Sequence, residues 1–315
     1  MELIKMNKTL AILSTAILLA TATITEAKQT NISPAKHTVA ASKVSNVPYE
    51  MVKYGDVSIQ AYVQGKGPTI VIMSSLGRSV RDYDVIAQDL VKQGFRVIRP
   101  EVRGIGLSRG PMEKLHIQDY GNDVAAVIEH FKAGPAIVVG HAWGNFPTRM
   151  VATQRPDLVK GVVLAGASAG KVPEGYKGKP IGPEIREAID NAGNEELPEA
   201  KRIEYLKRAF FAPMNDPRVW LTGWHHEAHD AQGYARNNTP VDDYFAAGKA
   251  PILDIQPEYD TVAPKPLRGV LKGALGDRVT IVEIKNAGHA LVPEQPKALA
   301  DAIGKFAKQQ FAKKS

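Results

Sequence analysis

Short, continuously apolar runs alternate with segments whose apolar residues recur every three or four positions. This rhythm limits the possible folds more than any other feature of the chain. Thr69-Ile70-Val71-Ile72-Met73, Ala136 to Val139 and Val162 to Leu164 read as strands apolar on both faces. Tyr83, Ile86, Ala87, Leu90 and Val91 sit at helical spacing, as do Tyr120, Val124, Val127, Ile128 and Phe131. Gly94 ends the first of these helices and Phe95 to Ile98 reads as the next strand. Asn145 to Arg155 reads as a further helix. Strands buried on both sides need cover on both sides, so the pattern predicts a mostly parallel central sheet with helices on both faces. Val57 to Val63 alternates apolar with polar residues, as an antiparallel edge strand would.

Residues 171–247 break the rhythm. They begin rich in Gly, Pro and charge, from Lys171 to Pro183, and then become helical. Ile203, Leu206 and Phe210 mark one apolar face, and Trp220, Trp224 and Ala228 another. The alternation resumes with a strand at Ile252 to Ile255, a helix at Pro266 to Leu275 and a strand at Val279 to Ile284. A last helix carries Leu299, Ala302, Ile303 and Phe306. The reading is one α/β sheet formed by residues 48–170 and 248–315, with a helical cap inserted at 171–247. An insertion after the C-terminal end of a strand lies over the place where open α/β sheets bind ligands, so it is expected to act as a lid.

The N-terminus carries its own signal. Lys5 and Lys8 precede a short apolar run, Leu10 to Ala20, and Thr25-Glu26-Ala27 fits a small-x-small cleavage site. Residues 1–27 resemble a secretory signal peptide, with an uncleaved anchor as the alternative, and 28–47 read as a flexible leader. The expected location is periplasmic or secreted, with no stable membrane insertion after cleavage. The chain of 315 residues contains no cysteine, so it is indifferent to an oxidising compartment. The net charge of +7 is scattered rather than gathered in a stripe, which argues against a nucleic-acid partner.

Five segments carry chemistry, each between the expected elements. They are Ser74-Ser75-Leu76-Gly77-Arg78; Pro100 to Ser108, close to P-D-x-R-G-x-G-x-S with Glu101 for Asp; Gly140-His141-Ala142-Trp143-Gly144; Gln256 to Pro264 around Asp260; and Asn286-Ala287-Gly288-His289-Ala290. In this order the chain resembles the α/β-hydrolase superfamily over roughly residues 48–312. It is similar to a subgroup with the elbow G-H-A-x-G-N, in which alanine replaces the nucleophilic serine. The resemblance implies an α/β-hydrolase fold and a catalytic order of position 142, Asp260 and His289. Asp260 then accepts the Nδ1 proton of His289, and the backbone amides of Trp143 and Leu76 form the oxyanion hole. The alternative for Asp260 is a cap for the helix near Pro266, and for His289 a satisfied loop histidine.

A methyl group attacks nothing, so an acyl-enzyme step through Ala142 is excluded. Three readings remain if the alanine is natural rather than introduced. In the first, the His289–Asp260 dyad activates water against a small ester, amide or lactone. A cofactor-free lyase, isomerase or oxygenase would use the same dyad. In the second, the protein is a pseudoenzyme that binds a small ligand without turnover. In the third, the nucleophile is relocated to Ser74, Ser75 or Ser168. No cofactor and no metal are implied.

Other residues have weaker claims. Trp143, Trp220 and Trp224 are candidate substrate contacts, Trp143 with packing beneath the lid as its other role. Arg78 and Asp82 are spaced for a surface ion pair. Arg78 also lies two residues past Leu76, where it would meet a substrate carboxylate. Asn145 is read as a helix cap, and Pro147 falls in the first helical turn. His225 and His229 share a helix face, but a metalloprotease H-E-x-x-H would need histidine where Asp230 stands.

Overall fold

Successive side chains of a strand point to opposite faces, and the central strands use both faces for apolar packing. A computed structural model describes residues 47–313. The expected signal peptide, 1–27, and all but the last residue of the expected leader, 28–47, lie outside the described residues. Eight strands form one sheet: β1 (Tyr49–Tyr54), β2 (Val57–Gln64), β3 (Thr69–Met73), β4 (Arg96–Pro100), β5 (Ala136–His141), β6 (Val159–Ala165), β7 (Ile252–Pro257) and β8 (Val279–Ile284). Their order is β1-β2-β4-β3-β5-β6-β7-β8. Pairing is antiparallel from β1 to β2 and from β2 to β4, and parallel for every other neighbouring pair. The fold is therefore the mostly parallel α/β sheet that the sequence predicts. Val57–Gln64 is not its edge, because the short strand Tyr49–Tyr54 pairs outside it.

The helices are α1 (Asp84–Lys92), α2 (Ile117–His130), α3 (Asn145–Gln154), α4 (Pro183–Asn191), α5 (Glu199–Ala209), α6 (His226–Asn237), α7 (Val270–Leu275), α8 (Leu291–Glu294) and α9 (Pro296–Ala312). Val71 and Met73 of β3 and Val138 of β5 pack on one side with Tyr120, Val124 and Val127 of α2 and Met150 and Val151 of α3. Ile70, Ile72, Ile137 and Val139 pack on the other with Ile86 and Leu90 of α1 and Leu299 and Ile303 of α9. The two-residue period thus separates two cores on either side of the sheet. The expected helix Pro266 to Leu275 is divided into a short 3₁₀ turn at Lys265–Leu267 and α7.

Between β6 and β7 the chain forms α4, α5 and α6; α4 and α5, with the segment after α5, share a third core of Ala188, Tyr205, Leu206, Phe210, Phe211 and Trp220, while Ala228 and Ala235 of α6 pack into the core on the α2–α3 side of the sheet. Ala290, one residue past His289, joins that core, so the inserted helices rest directly on the histidine loop.

The turn from β5 into α3 depends on close backbone approach. A Cβ on Gly144 would sit 2.6 Å from the Ser74 carbonyl oxygen and 2.7 Å from that of Met73. One on Gly140 would lie 2.4 Å from the Gly144 carbonyl oxygen. The two glycines let the end of β3 lie against the elbow. Gly144→Ala is expected to destabilise the protein by about 2–4 kcal/mol, because the methyl group meets backbone rather than a side chain that can turn aside. Chemical denaturation of the variant beside the wild type checks this.

Candidate active site

Residue 142 follows the last residue of β5 and has φ +49°, a left-handed conformation uncommon for a residue with a Cβ. Its carbonyl accepts a hydrogen bond from Asn145 Nδ2, and Asn145 Oδ1 accepts one from Arg149. Asn145 is the first residue of α3 and makes no N-cap bond; it ties the elbow together from inside instead. The strained residue is held in place by its surroundings.

Two loops bring the acid and the histidine together. Asp260 lies just past β7 and His289 just past β8, both at the C-terminal edge of the sheet where Ala142 also stands. His289 Nδ1 is 3.0 Å from Asp260 Oδ2 and 3.1 Å from Oδ1. Asp260 Oδ1 also accepts the amides of Val262 and Ala263, both at 2.8 Å, so it caps its own turn while holding the imidazole. Burial alone would raise the Asp260 carboxyl, but the imidazole and these amides outweigh it and hold it below the usual carboxylate range. An ionised carboxylate only accepts, so Nδ1 carries the proton and the Nε2 lone pair of a neutral ring is free to act as a base.

The end of α5 fixes both loops. Helix C-termini leave carbonyls without helical partners. The Ala209 carbonyl accepts from Thr261 Oγ1 at 2.9 Å, and the Phe210 carbonyl accepts from the Ala290 amide at 2.8 Å. Glu294 strengthens the joint by accepting the amides of Ala212 and Gly288 and the Asn215 side chain, each at 2.7 Å. His289 is therefore flanked by two anchored residues.

Leu76, expected from the sequence to offer an oxyanion amide, sits in the turn closed by the Arg78 amide on the Ser75 carbonyl at 3.1 Å. The Leu76 amide has no hydrogen-bond partner among the described residues, whereas the next amide, that of Gly77, donates to Gln232 Oε1 of α6 at 2.7 Å. Glu101 accepts from the Ser79 hydroxyl and from the Val80 amide at 3.1 Å, anchoring the segment that follows Arg78. Burial pushes its carboxyl up to about 7.

The aromatic candidates divide. Trp220 lies 5.7 Å from Phe210 and 6.3 Å from His141, ring to ring, and Phe210 lies 5.8 Å from His289. Trp224 lies 5.9 Å from Trp220. These rings form one group over the dyad. The Trp143 indole is elsewhere: it meets Tyr120 at 4.8 Å and donates to the Gln232 carbonyl at 3.1 Å, packing beneath α6 rather than forming a wall beside His289. Arg78 pairs with Asp82 at 2.8 Å as expected, but not on the surface, since its side chain is only 2 % exposed.

Ser168 Oγ accepts the Gly170 amide and so serves a turn. The Ser75 amide donates to Tyr83, and Ser74 is buried with no partner for its hydroxyl among the described residues. His225 donates its amide to the Gly77 carbonyl at 3.0 Å, and His229 pairs with Asp230, so this segment docks the insertion onto the Leu76 turn. Among the described residues no group of three or more His, Cys, Asp or Glu is arranged to hold a metal ion.

A family model described as the alpha/beta hydrolase family matches residues 70–302. The chain belongs to the alpha/beta hydrolase family. It is similar to the AB hydrolase superfamily protein YisY of Bacillus subtilis, at 25 % identity over 77 % of this chain and 92 % of that protein. It is also similar to the 2-(acetamidomethylene)succinate hydrolase of Mesorhizobium japonicum, at 27 % identity, but that match spans only 49 % of this chain and 52 % of the relative. The esterase EaEST from Exiguobacterium antarcticum superposes with a TM-score of 0.67 at 17 % identity, over 82 % of this chain and 98 % of that one. At that identity the likeness shows the shared fold.

In this alpha/beta hydrolase, sequence reasoning missed His141 and Tyr83. His141 Nε2 lies 2.8 Å from the His289 carbonyl oxygen, which only accepts, so Nε2 carries the proton. Its Nδ1 then accepts from the Tyr83 hydroxyl at 2.7 Å, and that oxygen accepts the Ser75 amide at 3.1 Å. One chain of hydrogen bonds thus joins the Leu76 turn, the elbow strand and the histidine loop. Burial, with the nearby His289 and Arg78 charges, pushes His141 down to about 3. Nothing in the sequence separates His141 from any other apolar-strand terminus, because its partners are distant in the chain. Nitrogen-15 NMR of the ring is expected to show the Nε2–H tautomer at pH 7. Protonation should begin only as the pH approaches 3, below the range of ordinary histidines.

Proposed function

We propose that the protein hydrolyses a small carbonyl compound, an ester, amide or lactone, with His289 as general base toward water and no covalent step at Ala142. The buried Asp260–His289 pair, with both carboxylate oxygens within 3.1 Å of Nδ1, carries this reading. Water adds its oxygen to the substrate carbonyl carbon while His289 Nε2 takes a water proton. The carbonyl oxygen, now negative, is received by the amides of Leu76 and Trp143. The tetrahedral adduct collapses, the bond to the leaving group breaks, and the imidazolium returns its proton to that group. The products are a carboxylic acid and an alcohol or amine, and the dyad regains its starting charge. The reading calls for no cofactor.

Two further observations support it. The left-handed backbone at Ala142, stabilised by Asn145, is what presents an elbow residue to a site, and it persists with a methyl side chain. The hydrolase named among the relatives makes hydrolysis the reaction class to test first. The methyl at Ala142 also favours a second reading, a ligand-binding protein without turnover. The expected N-terminal signal sequence, if it directs export, would place either activity in the periplasm or outside the cell.

A hydrolysis screen of the protein lacking residues 1–27 separates these readings. His289→Ala is expected to lower kcat/KM by about 10²–10⁴-fold, and Asp260→Asn by a similar factor, with substrate affinity retained. Ala142→Ser is expected to add a burst of product from an activated ester, since the paired Asp260 and His289 would serve a serine at 142 as its base. Absence of turnover across the screen, with ligand affinity altered by His289→Ala, establishes the binding reading instead.

A further inference from the structure

Arg78 is a buried cation at the junction of three parts of the site. It lies two residues past the free Leu76 amide, its side chain is 2 % exposed, and its guanidinium carbon sits 4.8 Å from the ring centroids of both Trp220 and Trp224. The indoles engage its π faces. Nε is taken by Asp82 at 2.8 Å, and that carboxylate is itself 23 % exposed. Nη1 donates to the Thr222 carbonyl at 2.7 Å. Nη2 has no hydrogen-bond partner among the described residues and rests against Gly223, where a Cβ would lie 3.4 Å away. Thr222 and Gly223 are exposed, so one strand of backbone separates the Nη1–Nη2 edge from solvent. Gly223 has φ +82°, a conformation that lets it lie flat on the guanidinium.

Asp82 balances the charge of the guanidinium through Nε, but the Nη1–Nη2 edge meets only one neutral carbonyl and has no anionic partner. The ligand that satisfies such an edge is a carboxylate, which accepts both parallel N–H bonds of the fork. The Thr222 carbonyl stands where one oxygen of that carboxylate would be. We infer that the substrate carries a carboxylate, that Arg78 binds it through Nη1 and Nη2, and that it displaces the backbone of Thr222–Gly223 on entry. The inference deepens the hydrolytic reading and rests on it for the site: the acid group is held at Arg78 while the neighbouring carbonyl reaches the Leu76 amide and His289.

The test pairs the mono-p-nitrophenyl ester of glutaric acid with p-nitrophenyl butyrate. Wild type is expected to favour the anionic ester by about 10–100-fold in kcat/KM, the range for a hydrogen-bonded charge pair. Arg78→Met should bring that ratio close to one, chiefly through KM. Arg78→Lys should lose about ten-fold, because a point charge does not reproduce the fork. A wild-type ratio near one, or a ratio unchanged in both variants, overturns the inference. Circular dichroism checks folding, and if Arg78→Met does not fold, Arg78→Lys decides. If neither ester is turned over, the hydrolytic reading fails and tryptophan emission decides the carboxylate site by itself. Of the three tryptophans, two flank Arg78. A saturable change with glutarate, absent with glutaramide and weakened ten-fold or more in the variants, supports the site. Equal responses to glutarate and glutaramide overturn it.

Discussion

The site depends on a carboxylate and an imidazole kept in contact away from water. A buried carboxylate is unfavourable unless its oxygens are used, and Asp260 uses them on the His289 ring and on the amides of Val262 and Ala263. The loops bearing the two residues are held together from outside by the last turn of α5. Its carbonyls at Ala209 and Phe210 are satisfied by Thr261 and Ala290 instead of by solvent. The inserted helices therefore do more than cover the site. They anchor the loops of the acid and the base, and the Phe210 ring at the end of α5 also packs against His289.

The elbow shows the same economy of partners. Ala142 holds an uncommon backbone conformation, and Asn145, Arg149 and the close approach of Gly144 to the end of β3 keep it there. Backbone strain of this kind, on the order of 1–3 kcal/mol, persists only where the surroundings over-determine it. The groups that hold this turn are backbone and Asn145–Arg149 contacts, none of which uses the side chain at 142.

The parallel sheet and its two helical layers were legible because apolar periodicity reports burial directly. Val71 and Met73 face one core, Ile70 and Ile72 the other, as the unbroken run from Thr69 implies. Asp260 and His289 were legible because their loops carry recognisable residues at the ends of recognisable strands. The outer strand Tyr49–Tyr54 was not, since a half-exposed edge carries a weak pattern. Long-range pairs were also hidden. Nothing near Tyr83 in the chain announces His141, and nothing near Arg78 announces Thr222, because 58 and 144 residues separate them. The helix spacing of Arg78 and Asp82 gave their pairing correctly but gave no information about burial, which the distant Trp220 and Trp224 supply.

The central claim is that water, not the protein, attacks the substrate. Intact-protein mass spectrometry of samples quenched during turnover of an activated ester tests it most directly. The account predicts a chain of unchanged mass at every time point. A mass increase equal to the acyl group, forming and decaying at the rate of turnover and mapping to a serine such as Ser74 or Ser168, would contradict it.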